Sequence, residues 1–211
     1  GLYSIFGANL TTKLEPGLAF SIPLPRELVG TVASINGEAA PLLFVSDGQL
    51  NMLAPFDLPI FPGVEVMVSV ASSTGVSEEI SLPTRPVQPG IFVDAQTGFG
   101  AILNSQGRHV AVAPLEPGEV IQIFATGLGL VDPPVLSGTG APLSPLSSTL
   151  IVPSVKIGNL SAEVIFSGLA PLFAGLYQVN VRLPDDLTPG IHTLSMEAQS
   201  VSSNQVLIEV Q

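Results

Sequence analysis

Apolar and polar residues alternate along much of this chain. Val64, Val66, Val68 and Val70 are separated by Glu65, Met67 and Ser69. A period of two puts one face of a strand in a core and the other largely in water. Leu50 and Met52 flank Asn51 in the same way, as Val179 and Val181 flank Asn180. Asn36-Gly37 lies between the apolar runs 32–35 and 39–45. This dipeptide favours the positive φ angles of a two-residue hairpin turn, so the spacing predicts strand, turn, strand. Pro62-Gly63 and Pro189-Gly190 are turn pairs, each ahead of a strand. Residues 99–103 and 109–113, with Asn104-Ser105-Gln106-Gly107 between them, predict a further hairpin. Many short strands with turn chemistry between them indicate an antiparallel β-sandwich.

The pattern occurs twice. Residues 4–10 match 122–128, and residues 35–46 match 157–168. Gln49 to Pro55 and Gln178 to Pro184 share Gln-x-Asn-x-x-x-Pro. Pro62-Gly63-Val64 then matches Pro189-Gly190-Ile191, and Gly75-Val76-Ser77 matches Ser200-Val201-Ser202. The offset changes only in turn-like segments, where insertions between strands belong. Two modules follow, 1–86 and 87–211, the second with an extra N-terminal hairpin. Residues 84–90 form a Pro/Gly-containing, semi-rigid linker. Residues 132–153, rich in proline, form a long irregular loop, and a shorter insertion lies near 168–175. The chain opens at Gly1, without an initiator Met, directly into strand-like sequence. It reads as an excised fragment whose first module lacks its first strand.

Composition narrows the chemistry. Of 211 residues, 46% are hydrophobic and only 11% charged, with 21 Gly and 20 Pro. That punctuation excludes long helices. The net charge is −11 and no basic cluster offsets it. Such a surface repels phosphate backbones, so nucleic acid and anionic lipid are excluded as partners. Cysteine is absent, which removes disulfides, thiolate chemistry and Cys-ligated zinc. No apolar run approaches the roughly 20 residues of a membrane-spanning helix.

Candidate side chains for chemistry are few. His109 and His192 have no Gly-x-Ser-x-Gly nucleophile motif beside them, and both read as surface strand residues. Asp185-Asp186, Asp47 and Asp57 lie in turns without Ca²⁺-loop spacing. Gly127-Leu128-Gly129 lacks the third glycine of a nucleotide loop and reads as a turn. No residue is therefore assigned a catalytic, cofactor-binding or metal-ligating role, and no cofactor is expected. Phe6, Phe44, Phe124 and Phe166 recur at matched positions, as core residues should. Phe56, Phe61 and Phe173 lie in loops and are the candidate ligand-binding residues of an exposed patch. Asn51 and Asn180, at one place in both copies, are expected to satisfy backbone groups at a sheet edge or loop base.

The repeat resembles the TIG/IPT type of immunoglobulin-like domain. The residues that carry this are Ile35 to Gly37 by the hairpin, Ala40 to Phe44, the Gln-x-Asn-x-x-x-Pro motifs, the Pro-Gly pairs and Val201-Ser202-Ser203-Asn204. Nearly the whole chain is similar to an uncharacterised C-terminal domain family of Solibacter and other acidobacterial exported proteins. Residues 39–46, 100–104, 125–129, 166–171 and 175–181 carry that likeness. One departure is Glu78-Glu79, where the second copy has Ser-Asn. The resemblance implies an all-β fold of two tandem immunoglobulin-like antiparallel β-sandwiches. It also implies a secreted or cell-surface parent, with this segment at its C-terminus, and it transfers no functional residue. The expected function is a non-catalytic structural or interaction module whose partner is a protein or polysaccharide at the cell surface. Carbohydrate or cell-wall binding through loop aromatics is the alternative reading, and a hydrolase fragment the third.

Overall fold

The computed structural model describes residues 1–58 and 63–211. It is all-β and divides into two compact units. The first comprises Gly1–Pro86 with Val135–Leu143 and Pro171–Gly175; the second comprises Val87–Pro134, Ser144–Ala170 and Leu176–Gln211. Two excursions from the second half of the sequence thus cluster with the first unit.

The first unit contains β1 (Leu2–Phe6), β2 (Gly17–Leu18), β3 (Val32–Ile35), β4 (Glu38–Ala39), β5 (Leu42–Val45), β6 (Gln49–Leu53), β7 (Glu65–Ser72), β8 (Gly75–Val76) and β9 (Ile80–Pro83). One sheet runs β1-β6-β5-β2; the other runs β4-β3-β7, with β8 and β9 both on β7. The Asn36-Gly37 turn has φ of 51° and 79°, and it pairs Ile35 with Glu38. The strand expected over residues 39–45 is broken, because the chain crosses to the other sheet at Ala40-Pro41. The Pro41 carbonyl accepts from Leu53 N at 2.8 Å. The inner faces enclose Ala33, Ile35, Leu42, Val45, Leu50, Met52, Val66, Val68 and Val70. Each buried Val, Leu or Ile stabilises the sandwich by roughly 1.5–3 kcal/mol.

The second unit contains β10 (Gly90–Ile91), β11 (Ile102–Leu103), β12 (Val120–Thr126), β13 (Val131–Asp132), β14 (Ser148–Thr149), β15 (Ser154–Ile157), β16 (Leu160–Leu169), β17 (Tyr177–Arg182), β18 (Gly190–Ala198), β19 (Val201–Ser202) and β20 (Val206–Val210). β16 pairs β15 over Leu160, Ser161 and Ala162, then β17 from Glu163 onward. One sheet is therefore β10-β12-β17-β16 and the other β15-β18-β20, the strand order of an immunoglobulin-like sandwich. Alternate residues face inward; Ile121, Ile123 and Ala125 of β12 and Val179 and Val181 of β17 are buried.

The two units share strand order and local irregularities. β5 carries a bulge between Leu42 and Phe44, and β16 carries one between Val164 and Phe166. These are equivalent positions in the repeat. A bulge inserts one residue and re-aims the side chains beyond it. That is why Phe44 and Phe166 are only half-buried instead of core residues, and Phe124 is likewise half-buried. Phe6 lies exposed on the outer face of β1. The last matched block shifts by one residue. Ser77 takes the Val70 amide at 3.0 Å, and Ser203 takes the Met196 amide at 3.0 Å, so Ser77 corresponds to Ser203 and Glu78 to Asn204.

The expected hairpin over residues 99–113 forms only in part. β11 supplies one arm, and Leu103 and His109 make a single bridge, after which residues 110–112 turn. Asn104 organises this bend by accepting the Gln106 and Arg108 amides at 3.1 and 2.9 Å. Within the expected irregular stretch 132–153, β13 and β14 pair briefly at Val131 and Thr149. Val87, midway along the expected linker 84–90, is buried in the second unit.

Candidate functional site

Three loops of the first unit form one apolar mat. Leu24 N donates to Gly138 O at 2.8 Å, Ala141 N to Phe173 O at 3.1 Å, and Leu172 N to Ala141 O at 2.8 Å. Thr139 caps the middle loop, its hydroxyl donating to Leu136 O at 2.6 Å. Leu172 adopts a φ of 71°, a left-handed value that favours glycine. Gly140 lies so close that a Cβ there would stand 2.8 Å from Leu172 O. From this fastened backbone Phe20, Ile22, Leu136, Leu172 and Phe173 all project into solvent. The mat holds apolar side chains outward by backbone hydrogen bonding.

Of the two candidate aromatics among the described residues, only Phe173 is presented in this way. Phe56 is half-buried, and its amide donates to Ser137 Oγ at 2.8 Å, so its backbone is tied to the middle loop. Phe61 lies outside the described residues. Phe20, 91% exposed, was missed in the sequence. It follows a short strand like many core phenylalanines, and its only signal was the Ser-Ile-Pro run after it.

Asn51 and Asn180 do not serve a sheet edge or loop base. Each lies on a central strand, β6 between β1 and β5, and β17 between β12 and β16. Each is half-buried on the outer face and accepts from the Gln two residues earlier: Gln49 Nε2 at 2.8 Å and Gln178 Nε2 at 2.9 Å. Ser4 Oγ adds a bond to Asn51 at 2.9 Å.

The titratable residues hold turns. His109 Nδ1 accepts the Ala111 amide at 3.1 Å, and His192 Nε2 lies 2.7 Å from Thr188 O. Asp94 accepts the Thr97 and Gln96 amides at 2.9 Å each, and these bonds hold its carboxyl below the usual carboxylate range. Burial alone would raise Glu119. Bonds from the Ser105 hydroxyl at 2.5 Å and from the Glu116 and Ser105 amides outweigh it, and the net shift is downward. Glu119 thereby shapes an open polar cleft of about 700 Å³, lined by Asn104, Ser105, Arg108, Glu116 and Gln211. Asp185 and Asp186 occupy the turn after β17, where Leu187 N donates to Pro184 O at 3.3 Å. Among the described residues no three His, Asp or Glu side chains gather as a metal site. No helix among them is long and apolar enough to cross a membrane.

No protein-family model and no curated protein matches the chain. Among solved structures, it is similar to SGBP-B from a complex xyloglucan utilization locus in Bacteroides uniformis, at 12% identity and a TM-score of 0.34. That match covers 99% of this chain and 44% of the other, so the chain spans less than half of that protein. It is also similar to the D00-D0 domain of Intimin, at 16% identity and a TM-score of 0.23, covering 85% of this chain and 78% of that one. The fold itself is fixed by the strand order: two all-β units built as immunoglobulin-like sandwiches.

Proposed function

We propose that this chain is a non-catalytic interaction module of a larger exported or cell-surface protein, built from two TIG/IPT-like domains. The observation that carries the reading is the apolar mat around Leu172 and Phe173. An exposed apolar surface is disfavoured in water unless something covers it in use. Here three loops are bonded backbone to backbone in a way that keeps it exposed. The residues with chemical reach, His109, His192, Asp94 and Glu119, hold turns in place, which suits a scaffold better than a hydrolase.

A protein partner suits this surface better than a polysaccharide. Sugar platforms stack rings on flat aromatic faces beside polar side chains. The mat offers aliphatic Ile22, Leu136 and Leu172 together with two phenylalanines, and Phe56 is half-buried. Immobilised chain would be incubated with protein and polysaccharide fractions of a bacterial cell envelope. Retention of a protein that falls when Phe20 and Phe173 are both changed to Ala supports the proposal. Retention indifferent to those changes overturns the mat as the contact surface. Saturable retention of the polysaccharide instead would favour the carbohydrate reading.

A further inference from the structure

The outer face of β12-β17-β16, within the second unit, sets amides between aromatic rings. Phe124 lies opposite Gln178 and Gln122 opposite Asn180. On the other side of β17, Gly168 lies opposite Gln178 and Phe166 opposite Asn180. Residues directly opposite one another share a face of the sheet. The other face carries the buried Ile121, Ile123, Val179 and Val181. Phe124, Phe166, Gln122, Gln178 and Asn180 are all half-buried, so each still meets water.

Gly168 lets one ring lie down. A Cβ there would stand 2.5 Å from Phe166 Cζ and 3.1 Å from Cε2. The ring thus fills the space a side chain at 168 would take, leaning along β16 beside Gln178 instead of standing off the sheet. Phe124 flanks Gln178 from the other side. The two flanking positions are two strand spacings apart, about 10 Å. The first unit has the same amide pair, Gln49 and Asn51, without this ring. Ser46 stands where Gly168 does, its hydroxyl taking the Gln49 amide at 3.0 Å. Its Cβ leaves Phe44 no room to lie as Phe166 does.

The amides between the rings have unused hydrogen-bonding capacity. Gln178 Nε2 donates to Asn180 Oδ1 at 2.9 Å, which fixes both side chains. Among the described residues, no group of the chain bonds Gln178 Oε1, Asn180 Nδ2 or the side-chain amide of Gln122. An acceptor and a donor thus stand side by side, held by their own bond. A hydroxyl group can donate to the first and accept from the second.

Charge selects among ligands rich in hydroxyls. At the end of this face Glu163 and Arg182 lie opposite one another, 3.7 Å apart, and cancel. The other residues named here are uncharged, while the chain as a whole carries −11. An anionic polymer is repelled by that field, and a basic segment finds no carboxylate among the rings and amides to hold it. A second copy would bring its own −11 against the first. A neutral sugar chain meets no such cost.

We propose that this face binds a neutral polysaccharide, laid across the strands. Successive sugar rings pack on Phe124 and Phe166, and the hydroxyls between them bond to Gln178, Asn180 and Gln122. This site goes beyond the protein-interaction reading and uses a surface other than the Phe173 mat, so either can fail without the other.

The test is affinity electrophoresis of the intact chain through gels containing hydroxyethyl cellulose, galactomannan or dextran, with polygalacturonate as the anionic comparison. Retardation by at least one neutral polymer and none by polygalacturonate is expected. Phe166→Leu keeps apolar volume but loses the ring, and should weaken binding roughly tenfold. Asn180→Asp keeps the acceptor for Gln178 and loses the donor, so it should weaken binding as well. Phe124→Leu remains informative if Phe166→Leu fails to fold. Phe44→Leu, in the first unit, should leave binding unchanged, as should the Phe20→Ala/Phe173→Ala double change. No retardation by any of the three neutral polymers overturns the proposal. So does retardation indifferent to Phe166→Leu and Phe124→Leu, or lost instead with the Phe20 and Phe173 changes, which would assign sugar binding to the mat. Concentration-dependent dimerisation abolished by Phe166→Leu also overturns it and would assign the face to a second copy.

Discussion

Gln178 reaches along its own strand to donate Nε2 to Asn180 Oδ1 at 2.9 Å, and Gln49 does the same to Asn51 at 2.8 Å. Residues two apart on a strand share a face and lie within reach of a long amide side chain. The pair is half-buried, so its loss exposes the amides to water without orphaning them in a dry core. Asn180→Ala should cost about 0.5–1.5 kcal/mol, the net worth of an ordinary hydrogen bond. A double-mutant cycle with Gln178→Ala, read by urea denaturation, should return a coupling of at least about 0.5 kcal/mol. Strictly additive losses would remove the bond from the account of why Gln-x-Asn recurs.

The Gln-x-Asn repeat shows how far the sequence could be read. Alternation around Asn51 and Asn180 placed both on strands, and the flanking Leu50, Met52, Val179 and Val181 are buried as the period requires. What the Asn side chains bond was not legible, because a period of two gives the face and not the neighbours on it. Phe44 and Phe166 failed for another reason: the bulges at Leu42/Phe44 and Val164/Phe166 reverse the parity that alternation assumes. The apolar mat was legible only at Phe173. Its other members come from three segments far apart in sequence, joined by backbone bonds that no local pattern encodes.

Gly127 is the glycine whose replacement should be most damaging. Its φ is 75°, and a Cβ there would sit 1.8 Å from Gln88 O. Gln88 N also donates to Gly127 O at 2.8 Å, tying residues 87–89 to the end of β12. Gly127→Ala should therefore cost more than about 3 kcal/mol, from strain, clash and a lost bond together. Gly107 has nearly the same φ, 73°, with nothing within 4 Å of a Cβ. Gly107→Ala should cost only about 1 kcal/mol. Equal shifts in the unfolding midpoint would show that the Gln88 contact is soft.

Ser147 is fully buried, and its hydroxyl has no hydrogen-bond partner. Its carbonyl, in contrast, accepts Leu169 N at 2.9 Å. A buried orphan hydroxyl carries a desolvation penalty of about 1–3 kcal/mol. Ser147→Ala removes the orphan and keeps the backbone bond, so stability should rise by about 1 kcal/mol. A fall of similar size, measured by thermal unfolding, would mean that the hydroxyl is satisfied in solution.

The turn between β18 and β19 holds Gln199 and Ser200 at φ of 47° and 62°. Two-residue hairpins with both central residues left-handed favour Asn-Gly, as the Asn36-Gly37 turn of the first unit illustrates. A side chain in that region costs roughly 1 kcal/mol relative to glycine. Ser200→Gly should raise stability by about that amount, less the added freedom of the unfolded chain. No gain would imply that neighbouring contacts already offset the strain.

The low pKa values of Asp94 and Glu119 give the second unit an acid sensitivity with a definite sign. Asp94 is held down first by the Thr97 amide, then by the Gln96 amide and the Thr97 hydroxyl, with a small attraction from His109. At Glu119 the opposing effect of burial is overcome by the Ser105 hydroxyl and by the Glu116 and Ser105 amides. In the unfolded chain both groups protonate near the ordinary range of about 4. Their folded values lie lower, so the stability they confer is fully present above that range and is lost as pH falls through the folded values. Stability measured from pH 7 downward should stay flat until about pH 4 and then decline. Asp94→Asn and Glu119→Gln should each make the decline shallower while lowering stability at pH 7. Profiles with the wild-type slope in both variants would place the acid sensitivity in other carboxylates of this acidic chain.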